Sequence, residues 1–184
     1  MSGNPAYFHP TAIIEAESLI GDGTKVWHHG HIRGGAVIGE DCVLGKNVFV
    51  DAAATIGSRV KIQNNVSVYS GVHIGDDVFV GPAATFTNDK VPRAFNPHWQ
   101  ITETFVRDGA SIGANSTIIC GTTLGEYCMI AAGATVTRDV AAHQLVMGTP
   151  ARHAGWVCRC GTLITRDEDI PEVLACEVCR ADAS

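Results

Sequence analysis

The fold is decided by a stretch in the first half of the chain, Ile38-Gly39-Glu40-Asp41-Cys42-Val43-Leu44-Gly45-Lys46-Asn47-Val48-Phe49-Val50. An aliphatic residue returns here every six positions, at Ile38, Leu44 and Val50. A period of six fits neither the 3.6-residue turn of an α-helix nor the simple alternation of a strand. It predicts short strands joined by tight turns. Because Gly39 and Gly45 directly follow an aliphatic, we expect these turns to need the permissive backbone angles of glycine.

The six-residue period covers most of the chain. It runs without a missing aliphatic from Ile14 to Phe86, and it resumes in a shifted phase from Val106 to Val136. We expect stacked coils that bury the repeated aliphatics in one column, with Cys42 and Cys128 at small core positions. The interval Thr87 to Phe105 interrupts the period and therefore predicts a protruding loop.

Composition narrows the class of protein. The 184 residues fit one main domain with at most a small appendage. The net charge of -6 gives no general basic surface, so nucleic acid is not an expected partner. The chain has no run of 18 apolar residues and no secretory signal at its start, so we expect a soluble, cytoplasmic protein without a membrane partner. In that reducing compartment its cysteines are expected to be core residues, metal ligands or free thiols.

Three strings are more specific than the repeat itself. They are Lys61-Ile62-Gln63-Asn64-Asn65-Val66-Ser67-Val68-Tyr69, Gly81-Pro82 and Phe86-Thr87-Asn88-Asp89-Lys90-Val91-Pro92-Arg93. The period from Ile14 to Val140 resembles the hexapeptide-repeat acyltransferase superfamily, and the three strings resemble its 3-N-acetyltransferases of nucleotide-linked amino sugars. The resemblance implies an all-β, left-handed parallel β-helix that forms homotrimers and holds its ligands between subunits.

The same resemblance implies a reaction. An acetyl group would pass from acetyl-CoA to the 3-amino group of UDP-2-acetamido-3-amino-2,3-dideoxyglucuronate, in the synthesis of bacterial surface polysaccharides such as lipopolysaccharide. A dTDP-3-amino-3,6-dideoxyhexose is the alternative acceptor. Two other classes stay open, an O-acetyltransferase and a non-catalytic β-helical scaffold. An O-acetyltransferase commonly pairs a loop histidine with a carboxylate, and His98 has no evident partner in the sequence.

Four candidate substrate residues lie close together in one coil. Lys61, Gln63, Asn64 and Asn65 offer a charge and amides that suit a diphosphate, hydroxyls and a uracil edge. The alternative is that Asn64 and Asn65 only occupy turn positions with left-handed backbone angles. Tyr69, one hexad later, is a candidate to stack on a base or sugar, or a solvent-facing rim residue.

The loop carries a polar and aromatic set typical of a segment that faces a ligand. The resemblance places Asn88 near the reacting amine. An amide is no base near neutral pH, but it can orient the amine and donate a hydrogen bond to the developing oxyanion. The amine proton then leaves to solvent, to a histidine or to the CoA thiolate, and the resemblance favours the thiolate. Arg93 is a candidate partner for a sugar carboxylate or a phosphate.

Three histidines fall within one hexad, in Trp27-His28-His29-Gly30-His31. His28 and His31 are candidates for a general base, a substrate hydrogen bond or metal ligation. The alternative is that His29 is exposed and that His28 or His31 caps a turn. A histidine metal site between subunits would indicate a γ-type carbonic anhydrase, but His73 stands alone several coils away and no third ligand set is evident.

The last repeats resemble the terminal acetyl-CoA signature of the superfamily, in Ala131 to Val140 and Val146 to Arg152. Ala132, Gly133 and Pro150 are the candidate residues beside the pantetheine arm, because small residues allow close approach to the backbone. Arg138 and Arg152 are candidate phosphate partners. Alternatively, the small residues fill a turn and the arginines are solvated.

The predicted domain boundary separates residues 1–153, the β-helix, from a cysteine-rich tail of residues 154–184. Cys158, Cys160, Cys176 and Cys179 suggest a zinc ribbon with four thiolate ligands. Only Arg159 separates the first pair, whereas the usual knuckle has two intervening residues. Free or oxidised thiols are the alternative. A bound zinc would be structural, because four thiolates leave no open position for a substrate.

Overall fold

The computed structural model of the protein describes residues 4–181 as a stack of short strands in three sheets. Strands are numbered in chain order. Sheet A contains β1 (Tyr7–Phe8), β4 (Lys25–Val26), β7 (Val43–Leu44), β10 (Lys61–Ile62), β13 (Phe79–Val80), β16 (Ser111–Ile112), β19 (Met129–Ile130), β21 (Gln144–Met147), β22 (Arg152–Val157) and β23 (Leu163–Thr165). Sheet B contains β2 (Ile13–Ile14), β5 (His31–Ile32), β8 (Phe49–Val50), β11 (Ser67–Val68), β14 (Thr85–Phe86), β17 (Thr117–Ile118) and β20 (Thr135–Val136). Sheet C contains β3 (Leu19–Ile20), β6 (Val37–Ile38), β9 (Thr55–Ile56), β12 (Val72–Ile74), β15 (Thr104–Val106) and β18 (Thr123–Leu124).

From β1 to β20, successive strands belong to successive sheets, so the chain winds as a parallel β-helix of about eight turns. Each residue pairs with its equivalent one coil later, as Val43 does with Lys61. The predicted all-β, parallel β-helical fold is therefore confirmed. Within residues 4–181 the one α-helix is α1 (Glu177–Ala181), and no helix is long and apolar enough to cross a membrane.

The core is the column of second residues of the strands. Most members of this column are buried, for example Leu44, Ile62 and Ile112. Ile14 in the first coil is only partly buried. Full burial of such a side chain stabilises the fold by about 1.5 to 3 kcal/mol. Cys42 and Cys128 fill small core positions as predicted, and burial raises the pKa of the Cys128 thiol to about 12.

The tight turns place the left-handed residue at a different position from the one expected. In nearly every turn the residue three positions after the inward aliphatic has a positive φ, as in Glu17 (68°), His29 (57°) and Asp41 (54°). The glycines directly after the aliphatics do not. A Cβ added to Gly39 would lie 2.6 Å from the carbonyl carbon of Gly57 in the next coil. These glycines are therefore required for close stacking of the coils, and the expectation that they supply backbone angles is wrong.

The corners of the prism form three edges. The AB edge joins sheets A and B and comprises residues 27–30, 45–48, 63–66, 81–84, 113–116 and 131–134. The BC edge comprises residues 33–36, 51–54, 69–72 and 119–122, and the CA edge comprises residues 39–42, 57–60, 75–78, 107–110 and 125–128. Within these coils, a side chain outside the core points away from a sheet or lies on one of the edges.

The loop leaves the prism at the BC edge, between β14 and β15. It spans residues 87–103 and is slightly shorter than predicted, because Phe105 already pairs with His73 in sheet C. At its base the Thr102 N–H donates to the Asn88 carbonyl at 2.9 Å, and the Cys120 N–H donates to Thr87 Oγ1 at 2.9 Å. These bonds fix the two ends of the loop to each other and to the next coil.

The tail continues sheet A. β21 pairs with β22 in antiparallel fashion, and β22 pairs with β23. β22 crosses the position predicted as the domain boundary, so one continuous strand joins the tail to the β-helix. The Trp156 indole N–H donates to the Asp167 carbonyl at 3.1 Å and ties the far end of this hairpin down.

We predict that Gly39→Ala lowers the free energy of unfolding by about 1 to 3 kcal/mol, because the added methyl group overpacks the coil junction. The matched control is Ala53→Gly at a left-handed position (φ 59°), where the change relieves a steric penalty and should be neutral or slightly stabilising. Denaturant unfolding of both variants checks this. An unchanged midpoint for Gly39→Ala would contradict the packing explanation.

Candidate active site

Asn64 and Asn65 occupy consecutive positions on the AB edge, and both side chains bond to the preceding coil. Asn64 Oδ1 accepts a hydrogen bond from the Lys46 N–H at 2.8 Å, and Asn65 Oδ1 accepts one from Asn47 Nδ2 at 3.0 Å. Asn65 has a φ of 62°, which is the turn conformation considered as the alternative. Both residues are exposed, and Gln63 beside them is half-buried. The pair therefore has a structural role in addition to the predicted contact with a substrate.

Lys61 precedes this corner and points outward from sheet A, where it is exposed. In the later coils the side chains on this edge become smaller. The equivalent positions in the later coils carry small or short side chains, Pro82 and Ala83, Ala114 and Asn115, and Ala132 and Gly133. Backbone bonds hold this column together, including the Gly133 N–H to the Ala114 carbonyl at 2.8 Å. No atom lies within 4 Å of a Cβ added to Gly133, so the upper part of the AB edge is open.

The BC edge holds the other predicted substrate residues. Asn88 starts the loop, and its Nδ2 donates to the Ser70 carbonyl at 3.4 Å. Tyr69 precedes Ser70, is 37% exposed, and meets the ring of Phe49 edge-on with centroids 6.2 Å apart. Arg93 lies exposed in the loop and donates to the Pro92 carbonyl. The structure thus brings Tyr69 and Asn88 to one corner, whereas Asn64 and Asn65 lie across sheet B from them.

The last coil brings the two predicted phosphate partners together. Arg138 and Arg152 both line a small cavity of about 90 Å³ together with Gln144 and His153. Pro150 lies exposed on the segment before Arg152, and the neighbouring Thr149 Oγ1 donates to the Gly133 carbonyl at 3.3 Å. The candidate acetyl-CoA residues therefore form one continuous region at the end of the prism.

Comparisons with known proteins agree with the repeat and the fold. The repeats match the family described as bacterial transferase hexapeptide (six repeats) over residues 53–88 and 103–138, and the hexapeptide repeat of succinyl-transferase over residues 35–70. A dTDP-3-amino-3,6-dideoxy-alpha-D-galactopyranose 3-N-acetyltransferase from Aneurinibacillus thermoaerophilus is 43% identical over 159 residues, which are 86% of this chain and 82% of the relative. The chain belongs to the hexapeptide-repeat acetyltransferase family.

Two further relatives agree with membership of this family. A hexapeptide-repeat-containing acetyltransferase from Vibrio cholerae, solved in complex with acetyl coenzyme A, has a TM-score of 0.60 and is 26% identical, with 66% of this chain and 70% of that chain covered. The bifunctional protein GlmU of a Picosynechococcus species is 33% identical over 128 residues. That match covers 69% of this chain but only 26% of GlmU, so it concerns one part of the bifunctional protein.

The predicted histidines of this hexapeptide-repeat acetyltransferase lie in the second coil. The ring of His28 stacks on His9 with centroids 3.6 Å apart, and His29 is the exposed left-handed residue of its turn. His31 Nε2 lies 2.7 Å from Glu15 Oε1. The N–H of Gly34 and the ring of His31 hold the pKa of Glu15 below its usual range. Sequence reasoning missed this carboxylate partner.

The chain alone does not bring His28 and His31 to Asn88. Three coils separate β5 from β14, where the loop begins, and each coil adds about 4.8 Å. A catalytic role for either histidine together with Asn88 of the same chain is therefore not supported by the geometry. Within residues 4–181, the only cluster of three or more potential metal ligands contains no histidine.

His73 has partners that sequence reasoning also missed. Its Nδ1 lies 2.8 Å from Thr55 Oγ1, and its Nε2 lies 3.3 Å from Glu103 Oε1. The ring stacks on Phe105 with centroids 5.1 Å apart and an interplanar angle of 18°. The loop returns Glu103 to His73, although no other histidine joins it in a ligand set within residues 4–181.

The four tail cysteines converge. Their sulfur atoms all lie within 4.8 Å of one another, and the Sγ atoms of Cys160 and Cys176 are 3.6 Å apart. Four thiolates around zinc would lie about 3.8 Å apart, since the Zn–S distance is about 2.3 Å. The short spacing is possible because Gly161 (φ 88°) tightens the turn, where its N–H donates to the Cys158 carbonyl. The Thr162 hydroxyl lowers the pKa of Cys160, which favours its thiolate, whereas the neighbouring cysteine side chains raise the pKa of Cys179. The donor set fits zinc.

Proposed function

We propose that this protein transfers the acetyl group of acetyl-CoA to the 3-amino group of a nucleotide-linked amino sugar. The observation that carries the proposal is the 43% identity, over most of both chains, to a 3-N-acetyltransferase of a dTDP-linked amino sugar. A dTDP-3-amino-3,6-dideoxyhexose is accordingly the first candidate acceptor. The UDP-linked uronate, which the sequence resemblance implied first, becomes the second. Synthesis of a surface polysaccharide in the cytoplasm is the proposed setting.

The distribution of the candidate residues supports a site between subunits. Asn88 and Tyr69 lie on the BC edge, whereas Asn64 and Gly133 lie on the AB edge. Sheet B separates the two edges within one chain. A ligand that contacts both sets must therefore touch two copies, as in a homotrimer whose AB edge faces the BC edge and loop of a neighbour.

In this proposal Asn88 positions the amine. Its Nδ2 is engaged by the Ser70 carbonyl, so its Oδ1 is the atom that accepts a hydrogen bond from the sugar amine. The amine nitrogen forms a bond to the acetyl carbonyl carbon while the C–S bond breaks. The departing thiolate takes the amine proton, and CoA leaves as a thiol. Lys61, Gln63 and the asparagines of the AB edge hold the nucleotide diphosphate and sugar hydroxyls, with Arg93 as a further phosphate partner.

O-acetylation is the second candidate reaction, because two histidine–carboxylate pairs are present. Each pair has the composition of a general base and its partner; the pairs are His31 with Glu15 and His73 with Glu103. The ring of His98, considered from the sequence, has no bonded carboxylate in the part of the chain that the structure describes. An acceptor with a hydroxyl in place of the 3-amino group, and otherwise identical, tests which of the two reactions occurs.

We predict that mass spectrometry detects one acetyl group on a dTDP-3-amino sugar after incubation with acetyl-CoA, and that Asn88→Ala lowers kcat about 10²-fold. Asn96→Ala, in the same loop, is the matched control and should keep its turnover. Unchanged turnover of Asn88→Ala would remove its positioning role. Acetylation only of the 3-hydroxy analogue would replace N-transfer by O-transfer.

A second prediction concerns the terminal cavity. Arg138→Ala and Arg152→Ala should each raise KM for acetyl-CoA about tenfold, because each removes one charge-assisted contact to a phosphate. With acetyl-pantetheine, which carries no phosphate, the variants should match the wild type. A rise in KM that persists with acetyl-pantetheine would show that the arginines act on the fold rather than on phosphate.

The tail cysteines should hold about one zinc per chain, which metal analysis of protein purified without chelator measures. The ion would supply the tail with a tetrahedral cross-link and no catalytic chemistry. Cys176→Ser should lose the metal, whereas the buried Cys128→Ala, outside the cluster, should keep it. Absence of stoichiometric metal from reduced wild-type protein would reject the site.

A further inference from the structure

A cavity of about 560 Å³ lies on the BC edge beneath the returning arm of the loop. Its volume falls in the range of small-molecule sites. The coils contribute Ser70, Gly71 and His73 to its wall, and the loop contributes Ile101, Thr102 and Glu103. Asn88 adjoins the cavity, because its side chain bonds to the Ser70 carbonyl and its own carbonyl accepts the Thr102 N–H. The cavity therefore lies beside the residue that is proposed to position the amine.

The loop is packed closely against the coil at this point. Gly71 has a φ of 85°, and an added Cβ would collide with the side chain of Ile101. Any side chain at position 71 would displace the Ile101 side chain. Glycine here thus allows Ile101 to pack directly against the coil.

Glu103 is the only acid that lines the cavity, and His73 orients it. A carboxylate can only accept, so His73 Nε2 carries the proton of the 3.3 Å hydrogen bond to Glu103 Oε1. Thr55 and the stacked ring of Phe105 hold the imidazole from two sides. Glu103 Oε2 has no bonding partner within residues 4–181, so it is available to a ligand.

The rest of the lining contains no positive side chain. The lining residues include neither lysine nor arginine, and Arg93, the predicted partner of a sugar carboxylate, is bonded within the loop and does not line the cavity. Ala53, Gly71 and Ile101 give the wall an apolar surface that suits a methyl group. A second carboxylate placed beside Glu103 would be repelled by it. The Lys90 ammonium lies near Gly121 and Thr102, outside the lining residues.

We infer that Glu103, positioned by His73, selects amino sugars whose sixth carbon carries no carboxylate. This inference rests on the proposed acetyl transfer to a sugar amine, and it assigns the acceptor class of that site. The ammonium form of the amine is attracted to Glu103 in every substrate, so only the group on the sixth carbon distinguishes a deoxyhexose from a uronate. His73 acts through Glu103 as a positioning residue.

The test uses two acceptors that share the nucleotide and the 3-amino group and differ only in the sixth carbon, a methyl group or a carboxylate. The measured quantity is the ratio of their kcat/KM values. Wild type should prefer the 6-deoxy sugar. Glu103→Gln keeps the shape and removes the charge, so it should shift the ratio about three- to tenfold toward the uronate, a modest effect because Glu103 is 59% exposed.

Two controls separate charge from structure. Glu40→Gln removes an equivalent exposed acid on the CA edge and should leave the ratio unchanged. Added salt should weaken the preference of the wild type and not that of Glu103→Gln, because screening acts only on the charge. His73→Ala should shift the ratio in the same direction as Glu103→Gln, and His73→Gln, which retains a donor, should shift it less.

The outcomes distinguish the inference from the proposed function. If Glu103→Gln lowers both kcat/KM values by the same factor, Glu103 only supports the loop and the inference is overturned, although the proposed acetyl transfer stands. If wild type acetylates neither amine, the proposed function fails and the inference fails with it. A salt-sensitive shift of the ratio confined to Glu103 and His73 variants supports the inference.

Discussion

Everything in this molecule depends on the stacking of one coil on the next. The backbone N–H of a residue donates to the carbonyl of the adjacent coil, as from Gly45 to Ile62 at 2.8 Å, and nearly every turn contains one left-handed residue. Because each sheet is continuous, a distortion in one corner is passed to both neighbouring coils. The inward positions are committed to the core and the glycine positions to close approach. Chemistry is therefore restricted to the outward strand positions, the edges and the inserted loop.

The sequence predicts the coils well because their cause is local. The inward aliphatics and small partners follow from a six-residue period, and the structure buries nearly all of them. The role of Gly39 could not be predicted in the same way, since its contact with Gly57 exists only after the coils stack. The end of the loop was misplaced by two residues for a similar reason. Thr104 and Phe105 join β15 through pairing with Val72 and His73, which a one-dimensional pattern does not contain.

The sequence predicts which residues belong to the candidate site, but not which of their side chains contact each other. Many cross-coil side-chain bonds join residues 18 positions apart, as Asn47 and Asn65 are, and an 18-residue rule could have found these. The bond from His31 to Glu15 spans 16 positions, so that rule would have missed it and paired His31 with Ile13. His73 and Glu103 are 30 positions apart, because the loop lengthens that one coil. Only the return path of the loop sets this distance, and no motif encodes it.

The two histidine–carboxylate pairs show why location decides what such a pair can do. In the second coil both oxygens of Glu15 are engaged, one by His31 and the other by the Gly34 N–H, so the pair completes a turn. On the BC edge Glu103 has a free oxygen, and the loop forms one wall of an open cavity in front of it. A histidine–carboxylate pair is therefore structural where the coils are continuous. It is open to a ligand where the loop interrupts them. A protein built of identical coils gains selectivity at the one place where its repeat is broken.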